Sequence, residues 1–169
     1  NIINESSDTI TIGASGDTVN VVGTLQNNGS VATTGRLIQM VQATDTSALS
    51  SSSTSYVDTG LTANITCSST SNKVLVLVSM GTFGADAAGS AGAAIQLLRD
   101  STHLVSSSGL GSHPTITYLY TAGPSFSYLD SPSSTSSLTY KTQFKSNGGE
   151  NFVTGHASTG TITLLEVSQ

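Results

Sequence analysis

Charged residues are scarce in this sequence. They make up 9% of its 169 residues, with five basic and ten acidic side chains and a net charge of −5, whereas typical globular domains contain roughly 25% charged residues. The basic residues are too few and too scattered to form the stripe that a phosphate backbone requires. We therefore expect no nucleic-acid partner.

Cysteine and long apolar runs are also scarce. The one cysteine, Cys67, excludes an internal disulfide, and its alternation with polar neighbours after Ile65 predicts that it fills a strand in the core. The longest apolar run, residues 74–78, is far shorter than the roughly 20 residues of a membrane span, so we expect no membrane insertion. Such a run predicts a strand that is buried on both faces.

Catalytic and metal-binding patterns are absent as well. The carboxylates form no close pair of the kind that glycosidases use, and neither a Gly-x-Ser-x-Gly elbow nor a His-Glu-x-x-His spacing occurs. We therefore expect no enzymatic activity, no cofactor and no metal site within one chain. A symmetry axis could still gather three copies of Glu150 or of one histidine, and that alternative stays open; the histidines are His103, His113 and His156.

A short repeated pattern lies near the start of the chain. Residues 8–12 and 17–21 each combine an aspartate with alternating β-branched residues and are followed by a glycine turn, which is typical of short strands with one apolar face. Two such strands bury too little apolar surface to fold alone. We therefore predict a short intertwined β shaft in which copies of the chain pack four side chains around a common axis, namely Ile10, Ile12, Val19 and Val21.

The remainder of the sequence is typical of an all-β body. From Leu37 onward, about ten runs of alternating or apolar residues are separated by polar turns, which predicts an antiparallel β-sandwich, best fitted by a jelly roll. We place the domain boundary near Gly35, between a shaft with its connector (residues 1–35) and a jelly-roll head (residues 36–169). Three stretches rich in serine, glycine or alanine are predicted to be exposed loops, and they are residues 46–55, 84–92 and 106–114.

Adaptable polar loops and several aromatic residues favour binding over catalysis. Serine-rich and glycine-rich loops provide adaptable hydrogen bonding, and the predicted loop 106–114 supplies candidate receptor-contact residues, namely Ser106, Ser107, Ser108 and His113. Phe126 and Tyr128 alternate with a serine, so we expect them to face the interior of the sandwich. Tyr118 and Tyr120 are equally compatible with packing and with exposure.

Several stretches carry a resemblance to a known family. Residues 72–80, residues 129–136 leading into 139–143, and residues 162–167 resemble the C-terminal head of phage tail-fibre and appendage proteins, with marine and cyanobacterial phages as the nearest match. Residues 11–19 resemble a phrase that often precedes such a head. The head type is similar to the trimeric jelly roll of the complement C1q and tumour necrosis factor superfamily, and the resemblance covers residues 36–169.

The resemblance implies a homotrimeric virion protein, located outside the cell, whose head contacts a host cell-surface glycan or protein during adsorption. Because the chain starts at Asn1 without an initiator methionine, we expect an upstream region that joins it to other virion proteins. Two alternatives on the same fold stay open: a secreted or surface-attached bacterial adhesin, and a capsid or collar fibre. An upstream virion-attachment domain would favour the fibre end, and a signal peptide would favour the adhesin.

Overall fold

A computed structural model describes residues 35–85, 92–110, 119–149, 151–154 and 158–169. Contacts between Cα atoms divide the chain into two units, Asn1–Thr33 and Thr34–Gln169, and the described residues belong to the second. The predicted shaft, with Ile10, Ile12, Val19 and Val21, lies outside the described residues. The assignment of residues 1–35 to a shaft therefore stays a prediction.

Twelve β-strands and no helix occur in the described residues. They are β1 (Leu37–Asp45), β2 (Leu49–Ser51), β3 (Val57–Thr66), β4 (Lys73–Ser79), β5 (Thr82–Ala85), β6 (Ala93–Arg99), β7 (Thr102–Leu110), β8 (Leu119–Ala122), β9 (Ser125–Asp130), β10 (Ser137–Ser146), β11 (Phe152–Thr154) and β12 (Gly160–Val167).

The strands pair into three antiparallel sheets of four. The first sheet has the order β1-β12-β4-β9, the second has the order β3-β10-β6-β7, and the third has the order β2-β11-β5-β8. Along the chain the longer strands pass back and forth between the first and second sheets, which is the connectivity of a jelly-roll sandwich. The predicted all-β antiparallel jelly roll is confirmed.

Each strand of the third sheet is adjacent in sequence to one strand of the first sheet: β2 to β1, β11 to β12, β5 to β4 and β8 to β9. The third sheet therefore has the same strand order as the first. Glycines stand at two of these junctions, between β4 and β5 and between β8 and β9. The amide of Gly123 donates a hydrogen bond to the carbonyl of Gly81, and the amide of Met80 donates one to the carbonyl of Pro124 at 3.1 Å. The interruption between β4 and β5 therefore lies next to the interruption between β8 and β9. Gly81, in the first interruption, has a φ of +68°.

Alternating burial along the strands builds the core. In β3, β10 and β12 every second residue is buried, as expected for strands with one face on the interior. The buried apolar cluster includes Leu61, Ile65, Val74, Val76, Leu97, Tyr140, Phe144, Ile162 and Leu164. Phe83 stacks on Phe152 with ring centroids 5.7 Å apart and meets Phe144 edge-on at 6.2 Å, so aromatic contacts join the third sheet to the second.

Two predictions about single side chains are confirmed. Cys67 is buried within the core cluster as predicted, although it lies directly after β3 and not in a strand. Burial, with the nearby Glu166 and Asp130 carboxylates, raises the pKa of its thiol. Phe126 and Tyr128 on β9 pack against the same cluster. Tyr118 lies outside the described residues.

Three predictions about segments need correction. The serine-rich stretch 46–55 was expected to be a loop, but it contains β2, which pairs with β11 because both backbones can complete a ladder regardless of side-chain polarity. Ser106, Ser107 and Ser108 are not in a loop but in β7, where they pair with β6. The run 74–78 is buried on one face only, since Leu77 is 41% exposed.

Candidate assembly and binding surfaces

The first sheet presents apolar side chains on the face turned away from the core. In β4, Val74, Val76 and Val78 fill the interior, so Leu75 and Leu77 between them lie on the outer side. The same alternation applies to the other three strands. The resulting apolar face consists of Leu37, Met40, Leu75, Leu77, Leu129, Leu165 and Val167, with Ile38 exposed beside them at an irregularity in β1.

Strand register lines these side chains up across the sheet. Met40 pairs with Leu165, Leu165 pairs with Leu75, and Leu75 pairs with Leu129, which puts four apolar side chains in one row across all four strands. Met40 is 62% exposed, and Leu129 is 52% exposed. The row is therefore open to solvent at both ends in the single chain.

Polarity increases along the same face in one direction. The next row contains Gln42, Thr163, Leu77 and Ser127, in which the amide of Gln42 donates a hydrogen bond to Thr163 Oγ1 at 2.9 Å. The row after it contains only hydroxyl side chains, namely Thr44, Thr161, Ser79 and Ser125. Neither row carries a charge. The face thus changes from apolar to hydroxyl-rich in this direction, whereas in the opposite direction Val167 pairs with Lys73, which among the described residues is the one charged side chain at this border of the apolar face.

Contiguous exposed apolar side chains of this kind mark interaction sites in soluble proteins. The sequence predicted burial of residues 74–78 on both faces, and the single chain supplies burial on one. Among the residues that the structure describes, none covers the outer side of Leu77, which is 41% exposed. The apolar face is therefore the candidate assembly surface.

A buried acid, Glu166, holds β12 in place between Leu165 and Val167 of the apolar face. Glu166 on β12 is fully buried and accepts hydrogen bonds from the side chains of Gln39 and Asn72, from the Ser68 hydroxyl, and from the Ser68 amide at 2.7 Å. Burial alone would raise the pKa of Glu166, but these donors outweigh burial and lower it to about 2. Since Gln39 lies between Ile38 and Met40, the cluster anchors β1 under the apolar face.

A second buried acid joins the two main sheets. Asp130 on β9 accepts a hydrogen bond from Arg99 Nη1 on β6 and another from the Tyr140 hydroxyl on β10, both at 2.6 Å. Burial and the bond to Asp130 raise the pKa of Tyr140. Burial lowers the pKa of Arg99, and its bond to Asp130 outweighs that effect and raises it. Asp130 in the first sheet is thus joined to Arg99 and Tyr140 in the second sheet, so the buried charge is paired and hydrogen-bonded.

The second sheet presents a polar outer face. Gln143 donates to Asp58 Oδ1 at 2.7 Å, and Gln96 donates to Gln143 Oε1 at 2.7 Å, so a chain of amides runs from β3 across β10 to β6. Gln96 in turn pairs with Ser106 on β7. Lys141 Nζ lies 2.9 Å from Asp58 Oδ1. We call Asp58, Lys141, Gln143, Gln96 and Ser106 the polar face.

The sequence-predicted receptor-contact residues are only partly brought together. Ser106 and Ser108 lie on the outer side of β7, opposite Gln96 and Ala94. Ser107 pairs with the buried Ile95 instead and lines a cavity of about 50 Å³ with Val105 and Phe126. His113 lies outside the described residues. A role of Ser106, Ser107, Ser108 and His113 in receptor contact stays a prediction.

No group of three or more metal-ligating side chains occurs among the residues that the structure describes. His103 is an exposed residue of β7, whereas Glu150 and His156 lie outside the described part of the chain, so the symmetry-axis alternative stays open. Within that described part, no helix is long and apolar enough to cross a membrane.

Sequence reasoning missed both surfaces. The signal for the apolar face was present in the odd-numbered leucines of the run 74–78, together with Leu129 and Leu165, but only strand register shows that they form one row. The signal for the polar face was weaker, because Asp58, Gln96 and Gln143 are far apart in sequence and meet only through the pairing of β10 with both β3 and β6.

Comparisons with known proteins give similarity of fold alone. No family model matches the sequence, and no curated protein matches it. Among solved structures, the chain is similar to infectious bursal virus derived T=1 particles, with 17% identity, a TM-score of 0.39, and coverage of 91% of this chain and 42% of that chain.

Two further structures give the same result. The VP2 subviral particle of infectious bursal disease virus has 17% identity, a TM-score of 0.38 and coverage of 91% and 43%. The Gx strain of that virus has 16% identity, a TM-score of 0.36 and coverage of 89% and 42%. The chain thus spans less than half the length of these proteins. Similarity at this level carries no argument about function or assembly.

Proposed function

We propose that this chain is a structural protein of a phage particle, forming the homotrimeric end of a tail fibre or appendage that contacts the host cell surface. The observation that carries the proposal is the apolar face of the first sheet. The resemblance of residues 36–169 to trimeric phage-fibre heads supplies the particle and the number of copies. The proposed role places the protein outside the cell and requires no catalysis and no cofactor.

The apolar face supports self-association because copies of one chain offer each other the same apolar surface. Among the described residues, a single charged side chain, Lys73, borders this surface beside Val167. Burial of a leucine side chain that is exposed in the single chain is worth about 1.5–3 kcal/mol, and Met40 and Leu129 lie at opposite edges of one apolar row. Contacts between copies of the chain around a symmetry axis would cover this apolar row at both the Met40 end and the Leu129 end.

The low charge of the whole chain supports a binding role that depends on many equivalent contacts. With only five basic and ten acidic residues, long-range electrostatic steering is weak. Three identical heads that engage a repeated surface ligand can gain about 10²- to 10⁴-fold in avidity when their spacing permits simultaneous contact. A fibre end that meets a repetitive cell surface fits this requirement.

Immunogold electron microscopy of a culture that carries the gene tests where the protein acts. With an antibody raised against the full chain, we expect gold particles at the ends of tail fibres or appendages of released phage. Gold on the capsid or collar would instead establish the decoration-fibre alternative. Gold confined to bacterial surfaces, in a culture without labelled phage, would establish the adhesin and contradict the proposal.

A further inference from the structure

The polar face contains a notch where the ladder between β3 and β10 changes register. Lys141 pairs with Thr62, but Gln143 pairs with Asp58, so the pairing is irregular between these two positions. Gly60 lies in the irregular segment with a φ of +91°, a conformation that side-chain-bearing residues rarely adopt. The notch has a volume of about 140 Å³ and is lined by Asp58, Gly60, Thr62, Lys141 and Thr142.

The side chains around the notch are held in place before any ligand arrives. Asp58 receives hydrogen bonds from Gln143 and from Lys141, the latter at 3.0 Å to Oδ2, and Gln143 is itself held by Gln96. Beneath the irregularity, the hydroxyls of Thr59 and Thr142 hydrogen-bond to each other at 2.6 Å. Ordering these groups in advance lowers the entropy that binding must overcome.

The Asp58 carboxylate at the notch stays ionised at neutral pH. Burial raises the pKa of Asp58, but the bonds from Gln143 and Lys141 outweigh it and lower the pKa below its usual value. The Asp58 side chain remains 56% exposed and the Lys141 side chain 28% exposed. A carboxylate that accepts hydrogen bonds therefore stands beside an ammonium that donates them, and both are open to solvent.

From this arrangement we infer that the notch binds a neutral saccharide through a pair of neighbouring hydroxyl groups, an inference that rests on the proposed function. One hydroxyl donates to Asp58 while its neighbour accepts from Lys141, and charge-assisted bonds of this type are the stronger ones. The Asp58–Lys141 pair is net neutral, and the Asp45 carboxylate lies against Gly60, so the notch does not favour an anionic ligand. The adjoining amides and the hydroxyl of Ser106 extend the same chemistry across the sheet.

The location of the notch agrees with the proposed assembly. The apolar face and the polar face lie on the outer sides of different sheets of one sandwich. Burial of the first sheet's outer side between copies leaves the outer side of the second sheet facing away from those contacts. Each copy would then offer one notch to the surroundings, so that weak binding at each notch is strengthened by multivalency.

Saturation-transfer NMR with the full chain tests the inference, using mannose, galactose and N-acetylglucosamine as probes, each with a derivative that lacks one of two neighbouring hydroxyls. We expect transfer to at least one intact sugar, and loss of transfer when the hydroxyl is missing. The variants Asp58→Asn and Lys141→Met should each weaken binding about tenfold or more, because the first turns a charge-assisted hydrogen bond into a neutral one and the second removes the charged donor. The matched control is Asp100→Asn, which changes an exposed aspartate in the turn after β6.

Two outcomes would overturn the inference. One is a folded, assembled wild-type chain that shows no transfer to any of the three sugars. The other is sugar binding that Asp58→Asn and Lys141→Met leave unchanged. Molar mass and circular dichroism of the same samples exclude unfolding as the cause of lost binding. Neither outcome bears on the position of the protein in the particle, which immunogold labelling decides separately.

Discussion

At the scale of single residues, two buried acids hold the sandwich together. Asp130 is paired with Arg99 and Tyr140 across the sheets, whereas Glu166 has no basic partner among its hydrogen-bond donors and depends on neutral amides and hydroxyls. A buried carboxylate of the second kind is stable only while every donor is in place. Glu166 is therefore the more sensitive position.

Glu166→Gln tests this interpretation. A glutamine has one acceptor oxygen instead of two and brings two donors into a site that already consists of donors, so we expect unfolding free energy to fall by about 2–3 kcal/mol. Chemical denaturation at pH 7 and a fixed chain concentration measures the change. The control Asp100→Asn alters an exposed acid that accepts a hydrogen bond from the Thr139 amide and has a φ of +53°. Asparagine keeps that acceptor and tolerates this backbone conformation, so the control should lie within about 0.5 kcal/mol of the wild type.

The same variant should change the response to acid. Because the pKa of Glu166 is about 2 in the folded chain and 4.5 as the reference value, its contribution to stability is fully present above pH 4.5 and is lost as the pH falls toward 2. Wild-type stability should therefore decrease over this interval more steeply than that of Glu166→Gln. Parallel pH profiles for the two proteins would contradict the assigned pKa.

Inward-facing side chains could be predicted from the sequence where apolar and polar residues alternate in a simple pattern. Cys67, Phe126 and Tyr128 sit in simple alternating patterns, and their inward positions could be predicted. Glu166 also alternates with core residues in β12, but a charged residue at an inward position conflicts with the usual pattern and becomes understandable only when Gln39, Ser68 and Asn72 are seen around it. Long-range donors of this kind leave no local signal.

At the scale of elements, the junction between the first and third sheets depends on two glycines. A Cβ atom at Gly123 would collide with the carbonyl group of Gly81, which is backbone and cannot move aside, and would lie 3.0 Å from Met80 Cβ. The break in β4–β5 and the break in β8–β9 therefore require close approach of two backbones. This requirement explains why β4 ends at Ser79 and β8 ends at Ala122.

Gly123→Ala tests the close approach. We expect a loss of about 1–3 kcal/mol in unfolding free energy, because an added methyl group in a packed site forces the backbone to shift. The matched control is Gly160→Ala at the start of β12, where a Cβ would meet its nearest atom at 3.5 Å, an ordinary contact. Thermal unfolding of both variants distinguishes them, and equal losses would contradict the collision.

Element-scale predictability was good for strands and poor for their ends. The strands over residues 37–45 and 137–146 match runs that the sequence predicted because these runs alternate regularly, and the strand over residues 93–99 matches a run that is mostly apolar. The serines of β2 and β7 were assigned to loops because serine favours turns over strands, yet edge positions in a sheet tolerate them. There, the backbone hydrogen bonds to β11 and β6 outweighed the low propensity of serine for strands.

At the scale of the whole molecule, the two main sheets differ in what their outer sides offer. The first offers a row of apolar side chains with one lysine, Lys73, at its border, and the second offers amides, hydroxyls and one exposed ion pair. One side is suited to burial against other copies and the other to hydrogen bonding with a hydrated ligand. This division could not be predicted from the sequence. The strands of both sheets have alternating patterns, and the two sheets differ only in which side chains point outward.

Leu129→Lys separates folding from assembly. Leu129 is 52% exposed at the edge of the apolar row, so a lysine there is tolerated in the single chain but places a charge inside the proposed contact. We expect the dissociation constant of the assembly to rise about a hundredfold, with the β-sheet spectrum unchanged. The control Asn64→Lys adds the same charge to an exposed site on β3 in the second sheet and should assemble as the wild type does.

The molar mass of the full chain in solution, determined by light scattering coupled to size-exclusion chromatography at micromolar concentration, tests the central claim most directly. The claim is that the apolar face is covered by other copies of the same chain. The predicted result is a single species with three times the mass of one chain, which Leu129→Lys shifts toward the monomer. A single species with the mass of one chain would contradict the claim.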